Sequence, residues 1–212
     1  MQSGQPMRTT AVLPVKSFPR AKSRTELDGP DRAALAEAMM TDVLQALADV
    51  QALHEILVVT REPRAVEAAA AVGATVVDDP SESGHNPAAA RGARAAVERG
   101  AERVLLVPGD CPGLDPAEVV TLLAGPPQSV TIVPDRHGAG TNALLLAPPE
   151  VMEPSFGPGS FARHAALARA AGAEVLVAEL PSLAFDVDTR EDLAALRAAG
   201  TRTRALLGVL TA

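Results

Sequence analysis

Short, unbroken apolar runs alternate along this chain with stretches in which apolar residues recur every third or fourth position. Ala11–Val15, Ile56–Thr60 and Arg103–Val107 are runs of the first kind, and their lack of alternation predicts strands buried on both faces. Pro14 predicts that the first strand ends or bulges there. From Asp31 to about Val50, Leu35, Met39, Val43, Leu44 and Leu47 fall near i, i+4, i+8 spacing and predict an amphipathic helix. Helices are predicted over Pro63–Ala71 and Pro87–Arg99, stopping at Gly73 and Gly100, with a short strand over Thr75–Val77 between them. Another helix should start at Pro116, with Asp115 as its N-cap.

The second half changes character. Val130–Val133 and Asn142–Leu146 predict two strands joined by the loop 134–140 on hairpin-like spacing. Next come Phe156-Gly157-Pro158-Gly159-Ser160, a helix to Ala171, a strand near Val175–Val177, the segment Phe185–Thr189 and a last helix over Arg190–Ala199. A β-α-β-α-β-α-β beginning predicts a parallel, doubly wound α/β sheet whose site lies at the strand C-termini, and the hairpin makes that sheet mixed. No repeat or linker divides the chain, so residues 1–212 read as one domain, with 1–8 as a flexible N-terminus.

Composition narrows the function. Hydrophobic residues make up 47% and charged ones 21%, enough for a core. Aromatics are 2% and the net charge is −7, which excludes an aromatic stacking platform and a basic surface for nucleic acid. A single cysteine, Cys111, rules out an internal disulfide framework and reads as a small buried residue in a reducing compartment. The first residues lack an apolar targeting segment and no run is long enough to span a membrane, so the reading is a cytoplasmic protein with no membrane partner.

Four loops at predicted strand C-termini carry more polar residues than a turn requires. After the first strand come Lys16, Arg20, Lys22 and Arg24, basic residues in an acidic chain, able to wrap a triphosphate with charge-assisted hydrogen bonds. Gly109-Asp110 succeeds an apolar strand and sets a lone carboxylate where a magnesium ligand belongs, with Gly109 leaving room for a nucleotide. In Asp186-Val187-Asp188, alternation puts both carboxylates on one face; Asp186 reads as a cation ligand, Asp188 as metal support or as the cap of the last helix. Ser160 reads as an N-cap whose open first-turn amides would bind a phosphorylated or carboxylated acceptor, with His164 on the surface. Asn86 either reads a base or ribose or caps the helix from Pro87. Gly138-Ala139-Gly140-Thr141-Asn142-Ala143 matches a dinucleotide fingerprint, but Leu144-Leu145-Leu146 directly after it reads as a strand and not the helix that motif must open.

In order along the chain, Val15-Lys16 with Ala21-Lys22-Ser23-Arg24, Gly109-Asp110-Cys111-Pro112, Asp135-Arg136 to Gly140-Thr141, Phe156-Gly157-Pro158-Gly159-Ser160 and Asp186-Val187-Asp188-Thr189 resemble the guanylyltransferases of deazaflavin coenzyme F-420 biosynthesis. The resemblance covers about residues 9–200. It implies a single nucleotidyltransferase domain of glycosyltransferase-A-like fold, using Mg2+ and GTP to place GMP on phosphoenolpyruvate or 2-phospho-L-lactate, the former being usual in bacterial relatives. Carried over, Asp110 and Asp186 match the metal-binding aspartates, and Lys16, Thr141, Gly157 and Ser160 match positions that hold the acceptor. Lys22, Arg24, Asn86 and Gly109 are then nucleotide-side residues, and Asp188 a further metal candidate. Where the family usually has Lys-Thr-Arg-Leu, this chain has Lys22-Ser23-Arg24-Thr25, with the leucine displaced to Leu27. The rival readings are a sugar-nucleotide-dependent glycosyltransferase, suggested by the D-x-D at 186–188, another nucleotidyltransferase such as a cytidylyl enzyme, and a nucleotide-binding module without chemistry. Oligomeric state is not readable.

Overall fold

The structure, a computed structural model, describes residues 7–20, 22, 25–82, 84–196 and 198–210. Seven strands form one sheet in the order β3-β2-β1-β4-β6-β5-β7. The strands are β1 (Thr9–Pro14), β2 (Glu55–Thr60), β3 (Thr75–Asp78), β4 (Arg103–Leu106), β5 (Ser129–Pro134), β6 (Thr141–Ala147) and β7 (Glu174–Val177). β1 lies parallel to β2 and β4, and β2 parallel to β3. β6 runs antiparallel to both β4 and β5, and β7 is parallel to β5. β6 is therefore the reversed strand of the seven, and the C-terminal ends of the other six meet at a single edge. The start of β6, with Thr141, lies at that edge too.

Helices cover both faces: α1 (Gly29–Ala48), α2 (Pro63–Ala71), α3 (His85–Glu98), α4 (Pro116–Leu122), α5 (Ser160–Ala170), α6 (Pro181–Ala184), α7 (Arg190–Ala195) and α8 (Thr201–Leu210). Strand alternation sorts the core into two layers. Ala11, Leu13, Val58, Leu105 and Leu145 pack with Met40, Val43, Leu44 and Leu47 of α1 on one face. Val12, Leu57, Val59, Val104 and Leu106 pack with alanines of α3 and α5 on the other. The predicted double burial of the central strands comes from this arrangement. α3 comes unusually close: a Cβ on Gly92 would stand 2.3 Å from Val12 Cγ1 and 2.7 Å from Val59 Cγ2, so only glycine fits at that crossing.

The C-terminal prediction needs correcting. Instead of one helix over Arg190–Ala199, α7 ends at Leu196 in extended backbone and a separate α8 begins at Thr201. The break is made by distant partners. Gly200 N–H donates to Pro112 O, and the Asp42 carboxylate of α1 accepts from the backbone N–H groups of Arg202 and Thr203. α1 thus caps α8, and Leu35, Met39 and Val187 form a third small core with Leu193, Leu196, Leu206 and Leu207 around it. α6 was not predicted either. The N-terminal residues 1–6 lie outside the described residues.

Candidate active site

The loops after β1, β3, β4 and β5 gather at the common sheet edge with the segment after α6. Asp110 lies just beyond β4, and its carbonyl accepts from Val187 N–H at 3.0 Å, which pins the 186–188 segment to the strand end. The sequence-predicted carboxylates are thereby brought together from far apart in the chain. Asp186 Oδ1 accepts from Asn142 Nδ2 at 3.2 Å, and the same amide donates to Leu183 O at 2.9 Å. Burial, and then the charge of Asp110, push the Asp186 carboxyl above its usual pKa against the pull of Asn142.

Lys22 stands between the other two carboxylates. Its backbone is left-handed at φ 54°, held by the Thr25 N–H and hydroxyl, which both donate to Lys22 O. Its ammonium donates to Asp110 Oδ2 at 2.7 Å and to Asp188 Oδ1 at 3.0 Å, with the side chain 8% exposed. Burial alone would lower the Lys22 pKa, but Asp110 and then Asp188 raise it above its usual value. Asp188 does not cap α7, the helix that follows it. Thr189 does, in a capping box with Asp192, whose Oδ2 accepts from the Asp188 and Thr189 amides. Arg136, unassigned at the sequence level, pairs with Asp192 and lies over the Phe185 ring at 4.6 Å, bracing this segment from the 134–140 loop.

Beside the carboxylates lies a cavity of about 410 Å3 lined by Lys16, Lys22, Gly109 and Asp110, by Met39 and Met40 of α1, and by Asp79 and His85. Gly109 faces it from beside Met40, which a Cβ would meet at an ordinary 3.5 Å. Burial lowers the His85 pKa, and its ring sits edge-on to Phe156, 4.9 Å between centroids. Lys16 lines this cavity, whereas Thr141, Gly157 and Ser160 do not. Arg24 falls outside the described residues.

On the far side of Phe156 the acceptor-side residues depart from the sequence reading. Ser160 is not the N-cap of α5: Gly159, in left-handed backbone at φ 69°, takes that position and Ser160 becomes the first helical residue, 1% exposed. Two of the first-turn amides are not open either, since Ser160 N–H donates to Gly157 O and Phe161 N–H to Ala139 O. Gly157 has φ 118°, a conformation that excludes other residues without strain. His164 is fully buried rather than on the surface. Its Nε2 accepts the Ser155 N–H at 2.9 Å, and Nδ1 lies 2.9 Å from Thr141 Oγ1. Asn86 caps nothing: Gly84 is the α3 cap, and the Asn86 amide pairs at both ends with the Phe156 backbone, Nδ2 to O at 3.1 Å and N–H to Oδ1 at 2.6 Å. Cys111 is buried, as read, and burial pushes its thiol up.

The carboxylates suit a divalent cation. They are hard oxygen donors crowded together, with the Lys22 ammonium between two of them, and Mg2+ takes one or two protein carboxylates with waters and substrate phosphates. Among the described residues no group of three or more His, Cys, Asp or Glu is arranged to hold a metal ion, so the three carboxylates do not form a ready-made cage and a cation here would take one or two of them; no helix is long and apolar enough to cross a membrane.

The sequence profile of the family described as "Guanylyl transferase CofC like" matches residues 9–210. A phosphoenolpyruvate guanylyltransferase of Conexibacter woesei is 52% identical over 90% of this chain and 88% of its own. One from Rubrobacter xylanophilus is 43% identical over 92% and 96%. Among solved structures, a protein described as a nucleotide-diphospho-sugar transferase from Desulfovibrio desulfuricans superposes with a TM-score of 0.74 at 21% identity, covering 96% of this chain and 95% of that one, so the two share a fold.

Proposed function

The chain belongs to the CofC-like guanylyl transferases, and on that premise we propose that it moves GMP from GTP onto the phosphate of phosphoenolpyruvate in coenzyme F-420 biosynthesis. The observation that carries this reading is the meeting of Asp110 with the Asp186–Asp188 segment beside a cavity lined by Lys16 and Lys22. An acceptor phosphate oxygen bonds to the α-phosphorus of GTP, the bond from that phosphorus to the bridging oxygen breaks, and pyrophosphate leaves. No covalent intermediate on the protein is needed, so the residues act by positioning and by charge.

Asp110 and Asp186 would hold Mg2+, with Asp188 as a further candidate ligand; when bound, the ion would neutralise phosphate charge. Lys16 and Lys22 supply positive charge to the phosphates, and Arg24 joins them by its place in the same loop. Gly109 lets the nucleotide lie against the strand end. Thr141, Gly157, Ser160 and Lys16 form the acceptor side, where the neutral His164 ring donates from Nδ1 to Thr141 Oγ1 and leaves the threonine proton available to a carboxylate or phosphate. Asn86 serves by holding Phe156, and through it the Gly157–Ser160 turn, not by reading the base.

Incubation with GTP, phosphoenolpyruvate and Mg2+ should release pyrophosphate and give a product whose mass is that of the acceptor joined to GMP. A sugar-nucleotide glycosyltransferase would release none. Asp110→Asn should lower turnover by about 100-fold or more while retaining the wild-type circular dichroism; undiminished pyrophosphate release in that variant overturns the metal assignment.

A further inference from the structure

Asp79 is the feature of the cavity that the mechanism leaves unused. It comes directly after β3, lines the same cavity as Lys16 and Asp110, and is 6% exposed. Among the described residues its Oδ1 is buried with no hydrogen-bond partner. The guanidinium of Arg91, on α3, pairs with it at 3.8 Å, past hydrogen-bond length. A buried carboxylate oxygen with no donor is costly, and such a group is retained where a ligand supplies the donor. Met39 and Met40 give the cavity an apolar wall against which a flat ring can lie.

The chemistry of the donor selects the ligand. A carboxylate is acceptor-only and takes two parallel N–H groups in a bidentate pair. On its Watson–Crick edge guanine presents adjacent donors, N1–H and the 2-amino group. Adenine and cytosine each present an amino donor beside a ring-nitrogen acceptor, and uracil has one N–H between two carbonyls. Resting on the GTP-dependent reading above, we propose that Asp79 is the specificity-determining residue for the base, its carboxylate accepting N1–H and the 2-amino group of guanine.

Three nucleotides separate this idea from its competitors. Inosine 5′-triphosphate lacks only the 2-amino group. Xanthosine 5′-triphosphate carries an oxygen in its place. Asp79→Asn keeps one acceptor for N1–H and puts an amide donor where the second oxygen stood, a match for xanthine and a mismatch for guanine. Pyrophosphate release with phosphoenolpyruvate and Mg2+ is the readout. Wild-type kcat/KM should fall about 10- to 100-fold from GTP to inosine triphosphate, the loss of one hydrogen bond to a charged group. Asp79→Asn should lose activity on GTP and gain it on xanthosine triphosphate, inverting the preference, a gain that a misfolded variant cannot give. Equal wild-type use of GTP and inosine triphosphate overturns the proposal, and that comparison stands even if the variant does not fold. So does a variant with the wild-type ratio of GTP to xanthosine triphosphate. If the wild type releases no pyrophosphate from any of them, it is the transferase reading that fails, and the ratio of GTP to inosine triphosphate affinity by calorimetry then decides Asp79 by the same 10- to 100-fold criterion.

Discussion

His164 shows how one side chain can be read wrongly from sequence and yet organise a site. Because nucleotidyl transfer needs no histidine, the sequence reading puts it on the surface; the ring is fully buried because Ser155 and Thr141, nine and twenty-three positions away, fold around it. Burial, and then the charge of Arg163, push its pKa down from 6.5 to about 4. The Ser155 N–H on Nε2 agrees, since a protonated ring would face it donor to donor. The folded protein therefore keeps His164 neutral to about pH 4, whereas the unfolded chain takes up a proton near 6.5. Between those values the unfolded state binds more protons, so stability falls as pH falls, by about 3 kcal/mol in all. Urea titrations at pH 7 and pH 4.5 should show this loss in the wild type and a smaller one in His164→Gln. Parallel pH profiles for the two proteins would remove the argument. Lys22 is the complementary case. Its identity was legible as a loop cation, but its position between Asp110 and Asp188 was not, because the left-handed turn that aims it leaves no mark in a basic run.

At the level of elements, the central strands were legible because burial on both faces leaves long apolar runs such as Ile56–Val59 and Val104–Leu106, and the reversed β6 because loop 134–140 is too short for a crossover. Elements capped from elsewhere in the chain were not legible. α8 begins where Asp42 accepts its first amides, from 160 residues earlier, and nothing local interrupts the alanine-rich stretch before Gly200. The turn before α5 is shaped in the same way, by Asn86 in the first turn of α3, 70 residues away. On the proposed reading, that contact makes Asn86 a support of the acceptor side of the site rather than of the nucleotide. Asn86→Ala removes both hydrogen bonds to Phe156 and frees the turn that carries Gly157 and Ser160. The KM for phosphoenolpyruvate should rise about tenfold, the worth of one or two neutral hydrogen bonds, with the KM for GTP within about twofold of wild type. A rise in the GTP value alone would restore the base-reading role.

Across the whole molecule, the site is assembled from both ends and the middle of the chain: Lys16 and Lys22 after β1, Asp110 after β4, and Asp186 and Asp188 just before the helices that fold back on α1. What sequence carried was the residue types and the sheet edge they reach; what it could not carry was the Asp110 carbonyl to Val187 amide link that makes neighbours of them. A site built this way exists only in the folded chain, so ligand binding must stabilise the entire fold. In a protein with net charge −7, these carboxylates repel a bare triphosphate, and Mg2+ and GTP should therefore stabilise jointly. At about 100 times the dissociation constant the gain is about 2.7 kcal/mol, or roughly 5–10 °C in Tm for a chain of this size, against little for either ligand alone. Asp186→Asn separates site from scaffold. It replaces a carboxylate whose charged form is disfavoured by burial and by Asp110, so the ligand-free Tm should hold or rise, while the joint shift with Mg2+ and GTP should vanish. A variant that keeps the full shift would show that Asp186 braces Asn142 without taking part in cation binding, leaving Asp110 to act with Asp188 alone.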